Sequence, residues 1–362
     1  MNNNNGLDVH ILEAGFETAG RPCVLLLHGF PELAYSWRKV MPALAKAGYH
    51  VIAPDQRGYG RTTGWDGDYD GDVASFRFLN IVKDTVGLVF ALGYRSVAGV
   101  VGHDFGSSVA GWCSLIRPDV FRSVVMMSVP FGGPPTLPFD TSKYPNLVEQ
   151  AGPDMHDALA SLPQPRKHLW WYYSTRPANE DMSKCPQGIH DFLRAFYHYK
   201  SADWEGNKPV PLESSSAAEL ARLPNYYIMD KDKGIAETVA AEMPSPAEIA
   251  ACEWLTNDEM DVYSSEYSRT GFQGGLNWYR CLTDPHYGDD LKVFSDATID
   301  VPSCFIAGKN DWGAFMRPGG IDRLKTVVCT NFADVHLVEG AGHWVQQEQP
   351  DQVVKILLSH FR

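Results

Sequence analysis

The segment Gly102-His103-Asp104-Phe105-Gly106 follows the apolar run Val97 to Val101 and opens a helical pattern, Phe105 to Ile116, that Pro118 closes. Small residues two places before and two places after a central residue permit a sharp strand-turn-helix bend, a nucleophile elbow, that leaves the central side chain exposed. Such a bend stores backbone strain, and the helix N-terminus favours a negative charge there. The central residue here is Asp104, so the chemistry on offer is attack by a carboxylate oxygen on an electrophilic carbon, giving an ester. An aspartate that merely caps the following helix is the competing interpretation. Gly-x-Ser-x-Gly occurs nowhere in the chain. Ser108, between Gly106 and Ala110, matches it loosely but sits a helical turn beyond the bend.

Two later residues complete a constellation. Asp311 lies in Gly308-Lys309-Asn310-Asp311-Trp312, just past the apolar run Val301 to Ala307, and His343 lies in Gly340-Ala341-Gly342-His343-Trp344, just past Val335 to Val338. Catalytic groups in open α/β sheets collect at the carboxyl ends of strands. Nucleophile, acid and histidine in that chain order fit an α/β-hydrolase architecture. The loop His28-Gly29-Phe30-Pro31 ends another run, Val24 to Leu27, and can aim a main-chain N–H at a developing oxyanion. The amides of Phe30 and Phe105 are the candidate donors. The loop Asp55-Gln56-Arg57-Gly58-Tyr59-Gly60-Arg61 makes no dinucleotide fingerprint, because Thr63 stands where the third glycine belongs. It is interpreted as structural, a turn joining Asp55 to Arg57.

The elements that must position these groups alternate in type. Apolar runs at Val24–Leu27, Tyr49–Ala53, Val97–Val101 and Ser123–Ser128 predict buried strands, and Trp37–Ala47 and Phe76–Leu92 predict helices between them. Val129 to Pro135 has the composition of a linker. From Gly133 to Asp296 the pattern turns helical and rich in aromatic pairs, then strand alternation resumes and a last amphipathic helix starts at Pro350. The expected fold is α/β: a core with a mostly parallel sheet over 1–132 and 298–362, interrupted by an inserted helical cap over 133–297.

Composition narrows the function classes. The 362 residues are 44% hydrophobic and 21% charged, with a formal charge of −13 that disfavours nucleic acid and anionic membrane as partners. No apolar run approaches the ~20 residues needed to cross a bilayer. The start, Met1 to Gly6, has neither the basic nor the apolar part of a secretory signal, so a cytoplasmic protein is expected. Seven scattered cysteines without CxxC spacing, and histidines without HExxH, support neither disulfides nor a metal site.

Together the loops beginning at His28, Asp55, Gly102, Gly308 and Gly340 resemble those of the epoxide hydrolases of the α/β-hydrolase fold, across both core segments. In the cap, Gly271-Phe272-Gln273-Gly274-Gly275-Leu276-Asn277-Trp278-Tyr279-Arg280 is similar to the segment holding one of that family's two epoxide-activating tyrosines, which maps to Tyr279. The position of the other falls on Leu169 when Lys167 to Ser174 is aligned without gaps, and leucine has no donor. Three options stay open: Trp170, Tyr172 or Tyr173 substitutes, Tyr279 acts alone, or the substrate is not a simple epoxide. Trp170, Tyr172 and Tyr173 are also the expected pocket lining. The resemblance implies conversion of an apolar organic epoxide to a vicinal diol through an ester on Asp104, with no cofactor. Other functions on this scaffold are haloalkane dehalogenation, a biosynthetic cyclisation or isomerisation, and non-catalytic small-molecule reception. The halide-holding tryptophan and asparagine of haloalkane dehalogenases are replaced by Phe105 and Phe30. A homodimer is left open.

Overall fold

Residues Val24 to Leu27 are all buried, and their alternate side chains feed two separate clusters: Leu25 and Leu27 pack into one, Val24 and Leu26 into the other. A strand with two buried faces belongs inside a sheet covered by helices on both sides. A computed structural model describes residues 1–135 and 154–361, and it bears this out. The stretch 136–153, inside the expected cap, lies outside the described residues.

Among those residues, seven strands form one sheet in the order β1-β3-β2-β4-β5-β8-β9. They are β1 (Ile11–Ala14), β2 (Cys23–Leu27), β3 (His50–Pro54), β4 (Gly99–His103), β5 (Val124–Met127), β8 (Ser303–Gly308) and β9 (Phe332–Val338). β1 pairs antiparallel with β3, and the remaining neighbours are parallel. The chain leaves β2 for β3 on one side and returns to β4 on the other. A crevice therefore opens above the carboxyl ends of β2 and β4, where Leu27 pairs with Gly102. Phe30 and Asp104 follow those two ends.

Several boundaries differ from the expectation. β4 runs from Gly99 to His103, two residues later than the apolar run Val97 to Val101, so the first half of the elbow is still strand. Val97 instead makes an isolated bridge to Phe121. The helix expected over Trp37–Ala47 is split into a 3-10 turn, Ala34–Trp37, and α1 (Met41–Lys46), with Pro42 in the first turn of the latter. Proline lacks a backbone N–H and suits a new helix start better than a helix interior. The expected helix over Phe76–Leu92 is α2 (Phe78–Ala91), and α3 (Phe105–Ile116) has the expected limits.

Between β5 and β8 the described chain is mainly helical, but not wholly. β6 (Arg166–His168) and β7 (Ile228–Asp230) form a short antiparallel ribbon that the helical pattern does not predict. The helices that matter for the site are Leu169–Tyr173, Gly188–Lys200, Asn257–Thr270 and Gln273–Thr283. Asn257–Thr270 starts in a capping box made by Thr256 and Glu259. None of the helices among the described residues is long and apolar enough to cross a membrane.

Candidate active site

Asp104 sits between β4 and α3 with φ 55° and ψ −117°, a backbone conformation costly for a residue with a side chain. It is the N-cap of α3, yet its carboxylate makes no capping hydrogen bond. The carboxylate is thus free of the structural duty that would have explained it otherwise. The flanking glycines make the bend feasible. A Cβ on Gly102 would lie 1.8 Å from the Gly106 carbonyl oxygen, and one on Gly106 would lie 2.2 Å from that of Leu27.

Each oxygen of Asp104 faces a different group. Oδ1 accepts the Phe30 amide N–H at 3.0 Å. Oδ2 lies 3.6 Å from His343 Nε2. The Phe105 amide, in the first turn of α3, has no acceptor available within the helix. On its other edge, His343 Nδ1 contacts Asp311 Oδ1 at 3.1 Å, and that oxygen also accepts the Gly313 N–H at 2.7 Å. Asp311 and His343 are 2% and 1% exposed. Burial alone would raise the Asp104 pKa, but the neighbouring His343 ring and its charge, then Lys200, outweigh it and hold the carboxylate well below its usual range. Asp311 is lowered in the same way, burial being overcome by His343, the Gly313 amide and Lys200.

His343 is fixed through its main chain. Its amide donates to the Lys200 carbonyl at 2.9 Å, at the end of the helix Gly188–Lys200. Its carbonyl accepts from His103 Nε2 at 2.7 Å and Ser128 Oγ at 2.9 Å. His103 Nδ1 meets Glu32 Oε2 at 2.5 Å, so both of its ring nitrogens face acceptors. That arrangement suits the imidazolium. Its pKa is raised accordingly, since the Glu32 charge and hydrogen bond overcome the burial that would lower it. Glu32 is fully buried and satisfied, accepting from the Gly29 amide, Gln346 and Gln347. A buried pair so supplied with partners is rigid, and here it ties the first oxyanion loop to the loop carrying His343.

The loop after β3 is structural, with different partners from those expected. Asp55 accepts from the amides of Ala34 and Arg61 and meets His10, whereas Arg57 pairs with Asp84 at 2.7 Å. With the Arg57 guanidinium engaged by both oxygens of Asp84, the turn is not an Asp55–Arg57 pair. This loop instead receives the cap. Gly58, at φ +91°, lies against Gly274, where a Cβ on either glycine would come within 2.6 Å of the other's backbone. Trp278 Nε1 donates to the Arg57 carbonyl at 2.9 Å. Together these contacts hold the helix Gln273–Thr283 with Tyr279 over Phe105, ring centroids 4.7 Å apart.

One pocket is lined by Phe30, Asp104, Phe105, Trp170, Tyr173 and Tyr279, together with Ser108 and Leu169. The rings of Tyr173 and Tyr279 meet edge-on at 4.9 Å. The Tyr173 hydroxyl is buried without a partner. Tyr172 is a correction: it does not line the pocket, because its hydroxyl donates to Asp181 at 2.5 Å on the other side of a one-turn helix. The pocket also holds Tyr227, Lys200 and Arg317, which sequence reasoning missed. Tyr226-Tyr227 and Phe196-Tyr197-His198-Tyr199 stand out in the sequence only as aromatic clusters, and nothing in them says which ring turns inward. Among the described residues no group of three His, Cys, Asp or Glu side chains is placed to hold a metal ion.

The family profile described as alpha/beta hydrolase fold matches residues 22–350. Epoxide hydrolase A of Mycobacterium tuberculosis is 33% identical over 358 residues, covering 98% of this chain and 94% of that protein. The chain belongs to the epoxide hydrolases of the α/β-hydrolase fold. An epoxide hydrolase of Caballeronia sordidicola is 30% identical, with 99% and 92% of the two chains covered. The solved structure of potato (Solanum tuberosum) epoxide hydrolase I superposes with a TM-score of 0.73 at 29% identity, covering 98% of this epoxide hydrolase and 96% of that one. Similarity on this scale includes the region between β5 and β8, so this epoxide hydrolase shares more than the sheet with its relatives.

Proposed function

We propose that this chain hydrolyses an organic epoxide to a vicinal diol through an ester on Asp104. The observation that carries the proposal is the uncapped Asp104 carboxylate, with one oxygen on the Phe30 amide and the other toward His343. In the first step Oδ2 attacks an epoxide carbon and the carbon–oxygen bond of the ring breaks. The departing oxygen takes a hydrogen bond or proton from Tyr279, with Tyr173 as the second donor in place of the family's other tyrosine. In the second step His343 takes a proton from water, and the hydroxide attacks Asp104 Cγ. The oxyanion forms on Oδ1, where the amides of Phe30 and Phe105 receive it. Asp311 orients His343 and stabilises its charged form. Collapse breaks the Cγ–Oδ2 bond, the leaving alkoxide takes the proton held by His343, and the second proton of the water restores any proton that Tyr279 gave up; the diol leaves, and one carboxylate oxygen of Asp104 now comes from water.

The apolar walls of the pocket suit an organic substrate with a mostly apolar body. Repeated turnover of an aryl epoxide in oxygen-18 water, followed by peptide mass analysis, should place label in the peptide carrying Asp104. Label confined to the diol would mean direct attack by water and would overturn the ester scheme.

A further inference from the structure

Two cationic side chains line the pocket that holds Asp104, and they differ in what balances them. Lys200 is 4% exposed, and its Nζ lies between 4.9 and 5.8 Å from the ring centroids of Phe196, Tyr226, Tyr227 and Trp344. Asp104, Asp311 and Glu32 supply opposing charge around it. Lys200 is therefore accounted for by the site itself.

Arg317 is not. It lies beyond Asp311 in the chain, half-buried, with its guanidinium 5.2 Å over the ring of Trp170. Among the described residues no carboxylate pairs with it and none of its N–H groups finds an acceptor. Burial lowers its pKa with no neighbouring carboxylate to offset the effect. A guanidinium is planar, carries a fork of donors and cannot shed its charge, so leaving it half-buried and unpaired is costly. The ring of Trp170 lies against the guanidinium, and its N–H donors, with no acceptor among the described residues, are available to a ligand. Such an edge matches a carboxylate in bidentate geometry.

The histidine beside Trp170 adds no charge to that of Arg317, and Lys200 is balanced by Asp104, Asp311 and Glu32. His168, next to Trp170, is lowered to about 4 by burial, with His156 and Arg317 adding to the effect, so it is neutral near pH 7. A single positive charge suits a monoanion better than a phosphate dianion. We propose that this pocket takes epoxides that carry a carboxylate, with Arg317 holding the carboxylate while Asp104 attacks the ring. This rests on the epoxide reading of the site and names the substrate class within it.

The test compares terminal-epoxy carboxylic acids, from short to long chain, with their methyl esters. For at least one chain length kcat/KM should favour the acid by about 10- to 100-fold, the range expected for a charge-assisted hydrogen bond. In Arg317→Gln that ratio should fall toward one, while Arg317→Lys should keep part of it. Because the ratio is taken within one preparation, it does not depend on how much of a variant is folded. A wild-type ratio near one at every length, or an unchanged ratio in Arg317→Gln, overturns the carboxylate site and leaves epoxide hydrolysis standing. Failure to open acid and ester alike, without label on Asp104, overturns the epoxide reading itself.

Discussion

Tyr173 stands one helical turn beyond Leu169, and both side chains line the pocket above Asp104. Residues four apart on a helix share a face. A hydroxyl absent at position 169 is thus available from the same face one turn later, beside Tyr279. Tyr279→Phe should slow ester formation by the ~10²–10³-fold typical of losing a charge-stabilising donor. Tyr173→Phe should slow the same step, and stopped-flow fluorescence of ester formation reads both. A silent Tyr173→Phe would move the second donor to Tyr227, whose hydroxyl is also buried without a partner.

In the proposed scheme His343 acts on the ester, after the ring is open. His343→Gln should accumulate a covalent adduct whose mass equals that of the substrate, seen in intact-protein spectra within the first turnover. Asp311→Asn should show a weaker form of the same defect, through lost orientation of the imidazole. A folded His343→Gln protein that forms no adduct would assign His343 to the first step.

The two half-reactions should also part in pH. His343 is the main influence holding Asp104 below the usual carboxylate range, against burial, which pushes the other way. A depressed folded pKa keeps Asp104 charged as pH falls through the ordinary ~4, and stability gained from the pairing is lost only below that range. Without the imidazole, burial is left as the larger influence and the pKa rises. Single-turnover ester formation by His343→Gln should therefore lose rate at higher pH than in the parent, when scanned from about pH 4 to 8. Coincident acid limbs would refute the coupling.

The elbow leaves no room for a side chain at position 102. Gly102→Ala would put a methyl group 1.8 Å from the Gly106 carbonyl oxygen, so strand or helix must shift. Destabilisation at or above the ~1–3 kcal/mol usual for overpacking is expected, with loss of turnover. Urea unfolding followed by tryptophan fluorescence measures it, and an unchanged midpoint would contradict the geometry.

The parts of the site that short-range spacing encodes were legible in the sequence. Gly102 and Gly106 flank Asp104 because the bend forbids Cβ atoms there, and Asp311 and His343 announce themselves by following apolar runs. The sheet core was legible for a similar reason, since β2 and β5 are buried on both faces and so read as unbroken apolar runs. What escaped depends on tertiary direction. β1 and β6 are short and only partly buried, and β7 is buried at Ile228 and Met229 but only three residues long, so none carries a strong apolar signature. Tyr172 and Tyr173 are chain neighbours, yet one turns to Asp181 and the other to the pocket. Nothing in the spacing around Lys200 or Arg317 tells that the fold encloses them.

The contact of Gly58 with Gly274 bears on how this enzyme can be remodelled. A backbone-to-backbone seam has no side chain to trim or regrow, so neither partner can change size unless the other segment retreats. Cap segments transplanted from relatives would have to bring a matching glycine, or the graft would ride up and carry Tyr279 away from Phe105. Selectivity can then be recut at Trp170, Leu169 or Arg317 without reopening that seam, which makes the far wall of the pocket the natural ground for directed evolution.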